Sequence, residues 1–387
     1  MFRNLFQKKR TYLDYAASAP ASVRALHAHG EALQLVGNPS SPHTEGRAAK
    51  SLLEGARTRV ARVLSVKSDD VIFTSGATEA NNIAIQGNVM SAKRRGAAAP
   101  HVLYLPSAHA SVIETLKSLS QWGVVMEPLA IRDGEIDIEY LKKQLRPDTV
   151  LVVVDMVCGE TGTLWNTREV ALALRDTSAK LLVDASQAPY TEQMERTRIA
   201  GDIIVLDAQK IGGVRGTGVL IAPRMLGLIP YAHGGGQERG LSPGTENVAG
   251  AVAFAIALED AERERESRVT EWERMRNVVM DAIAAIPVIE INEGKKRSPR
   301  ILNLSLRGRD TDYLVALLDE AGFAVSTKSA CESDSSQGSR AVTALTQDEA
   351  RATSTLRISW GPGVSMHDLT RFVIALKKTV VFLDASL

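Results

Sequence analysis

Two residues that could do chemistry together stand directly after strand-like runs of this sequence. Lys210 follows the apolar run 203–206 and precedes a glycine-rich stretch, while Asp184 follows the apolar run 181–183. A lysine amine can hold an aldehyde cofactor as a Schiff base, and a carboxylate can pair with a protonated pyridine nitrogen. A lysine and an acid at neighbouring strand ends therefore predict an enzyme that uses pyridoxal phosphate.

Two more segments follow strand-like runs in the same way. Residues 75–82, which include Ala77 and Thr78, come after the run 71–73 and open a helix. Their small side chains allow a ligand close to the backbone, and the N–H groups of a first helical turn favour an anion; an ordinary capped helix is the alternative. His109 follows the run 102–105, where an imidazole could stack on a ring and move protons.

The C-terminal third holds two further candidates. Cys331 lies in a polar loop of small residues, 326–339, although free cysteines are usually buried. A mobile loop that carries a nucleophilic thiol is the functional interpretation. Arg357 lies inside the strand-like run 356–359, where a buried guanidinium needs a carboxylate partner, and a substrate could supply one.

Short apolar runs alternate with helix-length segments through much of the chain, and they predict the fold. The runs are continuous rather than alternating, which is typical of a mostly parallel sheet covered on both faces. Ligands of such sheets bind beyond the carboxyl ends of the strands. A charged segment, 259–272, predicts a long helix that leads to a smaller C-terminal domain with a strand at 301–306 and a helix at 312–320. The predicted strands of the sheet are 71–73, 102–105, 150–154, 181–183, 203–206 and 219–221.

Composition excludes several classes of protein. The 387 residues carry a net charge of +1, which gives no bulk attraction to nucleic acid or to a membrane surface. Two cysteines cannot form a disulfide framework, and no apolar run approaches the roughly 20 residues that span a bilayer. The N-terminal residues lack the apolar region of a signal peptide. We therefore expect a cytoplasmic protein.

Taken in order, these motifs make the chain resemble the pyridoxal-phosphate cysteine desulfurases of the class V aminotransferase fold. The likeness runs from Tyr12 to about Ser359, and the Ser329-Ala330-Cys331 context looks like the subgroup that delivers sulfur to partner proteins. The landmarks are residues 37–43, 75–79, His109, 184–187, Lys210, 234–240, 244–247, 329–331 and Arg357.

The resemblance implies a role for each cofactor residue. Lys210 would hold the cofactor and move protons, Asp184 would pair with the pyridine nitrogen, and His109 would stack on the ring. The other implied contacts are Gln187 with the ring oxygen, Ala77 and Thr78 with the phosphate, and Thr245 with the phosphate from the second subunit of a homodimer.

It also implies a substrate and a product. Arg357, with Asn38 nearby, would hold the carboxylate of L-cysteine, and the Cys331 thiolate would attack the substrate sulfur. The products would be L-alanine and an enzyme persulfide, whose sulfur passes to acceptor proteins for iron–sulfur clusters or tRNA thiolation. The implied fold is the α/β fold type I of pyridoxal-phosphate transferases. Its large cofactor domain would span residues 16–258, and a small α+β domain with the sulfur loop would span 1–15 and 259–387.

Several positions depart from the family pattern. They are Gly159 in place of an asparagine, Asp207 in place of a serine, Gln209 in place of a histidine, Ser242 in place of an arginine and Lys328 in place of a glycine. A carboxylate beside a phosphate is repulsive unless it is protonated or turned away. Either Asp207 points away or is neutralised, by Arg215 or Lys328, or the protein binds the cofactor weakly; we expect the first. Asp207→Ser should then tighten cofactor binding by less than about tenfold.

Other functions stay open at this point. The enzymatic alternative is another pyridoxal-phosphate enzyme of this fold, such as a selenocysteine lyase or an aminotransferase, although the latter needs no mobile thiol. The alternative from another class is a degenerate homologue that binds partners without turnover. Asp207 and Gly159 favour that alternative. It is opposed by the joint presence of Lys210, Asp184, His109 and Cys331.

Overall fold

The computed structural model describes residues 10–327 and 338–384 of the chain. The chain divides into two units, each of which is described by itself. The large unit comprises Ala19–Cys158 and Leu164–Glu266. The small unit comprises Met1–Ser18, Gly159–Thr163 and Ser267–Leu387, as far as these segments are described. As domain boundaries, 16–258 against 1–15 and 259–387 stay a prediction.

Fourteen strands are present among the described residues, and most are short. In chain order they are β1 (Thr11–Tyr12), β2 (Val71–Thr74), β3 (His101–Tyr104), β4 (Val125–Pro128), β5 (Ile131–Arg132), β6 (Glu135–Ile136), β7 (Thr149–Asp155), β8 (Lys180–Asp184), β9 (Ile203–Asp207), β10 (Gly218–Ile221), β11 (Ile289–Ile291), β12 (Ile301–Leu306), β13 (Phe323–Ala324) and β14 (Thr355–Ser359).

Twelve α-helices lie between them in the same part of the chain. They are α1 (Val23–Leu33), α2 (Thr44–Leu64), α3 (Ala77–Arg94), α4 (Ala110–Ser120), α5 (Ile138–Gln144), α6 (Thr167–Ala173), α7 (Arg196–Ile199), α8 (Val248–Ile283), α9 (Thr311–Glu320), α10 (Arg340–Thr346), α11 (Glu349–Thr353) and α12 (Met366–Asp384).

A seven-stranded sheet forms the centre of the large unit, in the order β2-β10-β9-β8-β7-β3-β4. Only β10 runs antiparallel to its neighbours, so β2, β3, β7, β8 and β9 all point the same way. Every residue of β2, β8 from Leu181 onward, and β9 is buried, because the sheet is covered on both faces. The prediction of an α/β fold with a mostly parallel sheet is confirmed.

Helix α8 confirms the predicted long charged helix, and it extends well beyond residues 259–272 in both directions. Its charged residues pair at helical spacing, for example Arg265 with Glu262 and Arg268 with Glu271. Trp272, in contrast, is fully buried. Ion pairs between residues three apart on a helix stabilise it only slightly, so we attribute its order mainly to the buried face.

The small unit contains the antiparallel sheet β11-β12-β14 and the parallel pair β1-β13. The predicted strand 301–306 is β12, and the predicted helix 312–320 lies within α9. Asp310 caps α9 by accepting from the N–H groups of Asp312 and Tyr313, which explains why this helix begins where it does. Across the residues that the structure describes, no helix has the length and apolar character that crossing a membrane requires.

Candidate active site

The carboxyl ends of the parallel strands bring the predicted polar residues to one edge of the large unit's sheet. Asp184 is the last residue of β8, and Lys210 ends a 3-10 turn directly after β9. His109 lies between β3 and α4, and Thr78 lies in the first turn of α3, just after β2. Because these strands share one direction, their ends share one edge of the sheet.

Asp184 is held as a buried acceptor. Its Oδ1 accepts from the backbone N–H of Ser186 at 3.0 Å, and its Oδ2 accepts from the side-chain amide of Asn81 at 3.0 Å. Both donors are neutral, and Asp184 forms no salt bridge within the described part of the chain. A carboxylate that is fixed in place but not paired with a cation is suited to receive one.

A chain of hydrogen bonds connects Asp184 to His109. The Asn81 amide also donates to Ser111 Oγ at 3.0 Å, and Ser111 Oγ lies 2.9 Å from His109 Nδ1. The backbone N–H of Ser111 donates to the same Nδ1 at 3.2 Å. A backbone N–H can only donate, so Nδ1 is an acceptor and a neutral His109 carries its proton on Nε2. We call Asp184, Asn81, Ser111 and His109, together with Lys210 at the same edge of the sheet, the ring end of the site.

A second buried acid lies beside Asp184 and was missed in the sequence. Asp155 ends β7 and pairs in register with Asp184 on β8, so both side chains leave the same face of the sheet. Burial, and next the negative charge of Asp184, raise the pKa of Asp155 to about 7. Its Oδ1 is buried and has no hydrogen-bond partner among the described residues. The sequence does contain a signal for Asp155, because this acid directly follows the apolar run 150–154, just as Asp184 follows the run 181–183.

The N-terminus of α3 is occupied by another carboxylate of the chain. Asp207 Oδ2 accepts from the N–H of Ala77 at 3.1 Å, and Asp207 Oδ1 accepts from the N–H of Gln209 at 3.0 Å. Gly76, the residue before the helix, has φ of +152° and offers no side-chain cap, so Asp207 caps the helix instead. The expectation that Asp207 points away from this end is wrong, because the unsatisfied N–H of a first helical turn attracts the nearest anion, and here that anion is Asp207. The alternative, neutralisation by Lys328, stays a prediction, since Lys328 lies outside the described residues.

Glu79 places a second carboxylate at the start of α3. Its Oε2 accepts from the N–H and the hydroxyl of Ser75 at 2.6 and 2.7 Å, and its Oε1 accepts from Ser242 Oγ at 2.7 Å. Ser242, which replaces the arginine of the family pattern, therefore donates its hydrogen bond to a carboxylate of the chain. We call Asp207, Gly76, Ala77, Thr78 and Glu79 the phosphate end of the site.

The two ends differ in how well they fit pyridoxal phosphate. The ring end fits: the buried Asp184 carboxylate forms no ion pair with a described residue, and His109 and Lys210 lie at the same sheet edge. The phosphate end does not fit in this conformation, because Asp207 holds the N–H that a phosphate would need.

The remaining predicted residues of the large unit lie at or near loop positions. Lys210 and Asn38 are half-buried, Gln187 is buried, Thr78 and Thr245 are exposed, and Ala77 is half-buried. Asn38 Oδ1 accepts from the N–H of Ser40 at 2.9 Å. Cys331 and Lys328 lie outside the described residues.

Arg357 belongs to the small unit, where β14 holds it. It is 2% exposed, and its guanidinium pairs with Asp14 at 2.7 Å and donates to the Gly159 carbonyl at 3.2 Å. The chain therefore supplies the carboxylate partner that we expected from a substrate. Its Nε is buried and has no hydrogen-bond partner within the described part of the chain.

Known proteins are similar to this chain over nearly its whole length. The sequence pattern of the family described as Aminotransferase class-V matches residues 11–372. The chain belongs to this family. Cysteine desulfurase IscS 1 of Archaeoglobus fulgidus is 32% identical over 368 residues, which cover 94% of this chain and 95% of that protein.

Solved structures agree with this membership. A structure described as a NifS-like protein superposes with a TM-score of 0.89 at 27% identity and covers 97% of this chain and 100% of that one. A structure of SspA in complex with cysteine superposes with a TM-score of 0.78 at 25% identity and covers 91% of this chain and 99% of that one. The predicted family and fold type of this class V homologue are therefore confirmed.

Proposed function

We propose that this class V homologue is a cysteine desulfurase, which converts L-cysteine to L-alanine and keeps the sulfur as a persulfide on Cys331. The observation that carries the proposal is the hydrogen-bonded chain from Asp184 through Asn81 and Ser111 to His109, at the sheet edge that also holds Lys210. A relative named cysteine desulfurase and a neighbour solved with cysteine support the reaction and the substrate.

The ring end would hold the cofactor through three residues. Pyridoxal phosphate, when bound, supplies an electron sink for the charge left on the substrate Cα. Asp184 would keep a proton on the pyridine nitrogen, since its two neutral donors leave its charge unpaired. His109 would offer the proton on Nε2 to the substrate side, and Lys210 would attach the cofactor and carry protons to and from carbon.

Cys331 would perform the sulfur transfer. Its thiolate would attack the sulfur of L-cysteine, so that an S–S bond forms, the Cβ–S bond breaks, and the electron pair of that bond goes to carbon. Protonation of that carbon gives L-alanine, and the enzyme keeps a persulfide. Acceptor proteins of iron–sulfur cluster assembly or tRNA thiolation would then remove the outer sulfur.

The substrate carboxylate would bind at Arg357 in the same proposal. Arg357 Nε is buried without a partner in the described part of the chain, which leaves one guanidinium N–H available for a ligand. The pairing of Arg357 with Asp14 means that any substrate carboxylate must share the guanidinium with a resident acid.

A homodimer in the cytoplasm completes the proposal. Thr245 is exposed, which suits a residue that reaches the phosphate end of a second subunit. Two cysteines in 387 residues suit a reducing compartment.

The test is to incubate purified protein with pyridoxal phosphate and L-cysteine, then to measure alanine and the persulfide on the peptide that contains Cys331. Cys331→Ala should still change the cofactor spectrum on addition of L-cysteine but should form no persulfide. Lys210→Ala should show no such spectral change and should form no persulfide. Normal alanine production by Cys331→Ala contradicts the role of this thiol.

One observation favours a second candidate function, a homologue that binds partners without turnover. Asp207 occupies the N-terminus of α3, and a protein that never binds the phosphate would tolerate this. Wild-type protein that stays colourless at millimolar pyridoxal phosphate, and releases no alanine, would support this candidate over the desulfurase.

A further inference from the structure

We propose that Asp207 sets the cofactor specificity of this site, so that the wild-type chain gains little binding from the phosphate and takes phosphate-free pyridoxal nearly as tightly as pyridoxal phosphate. The proposal rests on the proposed function in one respect only, namely that Lys210 attaches the aldehyde of the cofactor.

The anion position at the start of α3 is filled by the Asp207 carboxylate. Asp207 is 8% exposed, and its two oxygens accept from Ala77 N–H and Gln209 N–H at 3.1 and 3.0 Å. A phosphate at the start of α3 needs the Ala77 N–H, because the free N–H groups of a first turn are what bind anions there. Ligand and carboxylate therefore compete for one donor.

The start of α3 also carries negative charge that no described basic residue neutralises at Asp207. Asp207 forms no ion pair with any basic side chain in the part of the chain that the structure describes. Glu79 adds a second carboxylate at the same helical turn. A dianionic phosphate would thus approach two like charges, which repel it.

The start of α3 is packed closely against the strand that pairs with the Asp207 backbone. Asp207 pairs with Gly218 across β9 and β10, and Gly218 pairs with Thr74 on its other side. A Cβ at Gly218 would lie 2.6 Å from Gly76 Cα, so the start of α3 rests directly on β10. A Cβ at Gly76 would lie 3.5 Å from Asp207 Oδ2. These contacts leave the start of α3 little room to move away from the carboxylate.

The experiment measures dissociation constants of pyridoxal phosphate and of pyridoxal by spectral titration of the apo-protein. In the wild type we expect the two constants to lie within about tenfold of each other. Asp207→Ser should tighten pyridoxal phosphate by about a hundredfold or more, while the constant for pyridoxal changes by less than about threefold. Asp207→Asn, which keeps the shape of the side chain, should tighten pyridoxal phosphate by a smaller factor. Asp176→Ser, an exposed acid with the same charge change, is the matched control and should alter neither constant.

A second measurement needs no cofactor. Inorganic phosphate at millimolar concentration should raise the thermal midpoint of Asp207→Ser and leave that of the wild type unchanged, because only the variant has an open anion position. The proposal is overturned if Asp207→Ser and Asp207→Asn bind pyridoxal phosphate within about threefold of wild type, or if they tighten both cofactor forms equally.

These measurements distinguish failure of the desulfurase proposal from failure of the Asp207 specificity proposal. If the variants show the expected selectivity but L-cysteine yields no alanine, the desulfurase proposal fails and the specificity proposal stands. If alanine forms and the selectivity is unchanged, the specificity proposal fails alone. If neither variant nor wild type binds either cofactor form, both fail.

Discussion

The ring end and the phosphate end of this site are built from the same local structure, yet the cofactor would present groups of opposite charge to them. Asp184 and Asp207 each end a parallel strand, and the Oδ1 of each accepts from the backbone N–H two residues later at 3.0 Å. The Oδ2 of each accepts from α3: from the Asn81 amide in one case and from the Ala77 N–H, one turn earlier, in the other. At the ring end a fixed carboxylate is what a protonated pyridine requires. At the phosphate end it opposes the ligand, so the charge of the ligand decides whether this geometry helps binding.

The largest effect that we expect is at Lys210. Without its amine the ring end has nothing to which an aldehyde can attach, so Lys210→Ala should lose the cofactor spectrum and reduce turnover by about 10⁴-fold or more. Borohydride reduction and peptide mapping of wild-type protein should place the pyridoxyl group on Lys210. Lys117→Ala, an exposed lysine on α4, is the control. A label that maps to another lysine would falsify the assignment.

An aspartate-to-asparagine substitution should impair function at the ring end and improve cofactor binding at the phosphate end. Asp184→Asn removes a charge-assisted hydrogen bond to the ring and should lower kcat/KM by about 10- to 100-fold, whereas Asp207→Asn should tighten pyridoxal phosphate. Asp202→Asn is the control, since Asp202 also accepts from a backbone N–H, that of Leu181, but at the start of β9. Steady-state kinetics and spectral titration measure the two effects. Losses of equal size at both ends would mean that the two aspartates are structural caps alone.

Asp155, which lies beside Asp184 of the ring end, should make the stability of the protein depend on pH. Burial raises the pKa of Asp155 to about 7 in the folded chain. The protonated carboxyl therefore adds to the free energy of unfolding, fully at pH values below the ordinary pKa of an aspartic acid, and this stabilisation is lost as pH rises through about 7. Asp155→Asn does not titrate. Its thermal midpoint relative to wild type should therefore rise between pH 5 and pH 8, by an amount that corresponds to at most roughly 3 kcal/mol.

The control for this measurement is Asp176→Asn, an exposed acid whose difference from wild type should stay flat with pH. A flat difference for Asp155→Asn as well would show that the Asp155 carboxyl is ionised or solvated in the folded protein.

The smallest effect is expected at Ser111. Ser111→Ala removes the hydroxyl between Asn81 and His109 but leaves the backbone N–H that also donates to Nδ1. Losing one neutral hydrogen bond should reduce kcat by about 3- to 10-fold and should change the pH profile of kcat. Ser120→Ala, at the exposed end of α4, is the control. A lower thermal midpoint with an unchanged pH profile would reveal a purely structural hydroxyl.

Much of the architecture could be predicted from local patterns. The continuous apolar runs 150–154 and 203–206 predict buried parallel strands because a strand covered on both faces needs apolar side chains at every position. The charged segment 259–272 predicts a helix because its opposite charges recur every three or four residues. The short strands β11 and β13 carry too few residues for either pattern to show.

The sequence by itself determined which residues stand at the strand ends, among them Asp184, Lys210 and His109, because strand direction and chain order place them at one edge. Only the tertiary structure decided what those residues contact. The pairing of Asp155 with Asp184, the Asn81–Ser111 link and the Asp207 cap on Ala77 each join segments tens of residues apart in the chain. Hydrogen-bond partners and burial depend on how strands and helices pack against one another. No local pattern contains that information, which is why the direction of Asp207 was mispredicted.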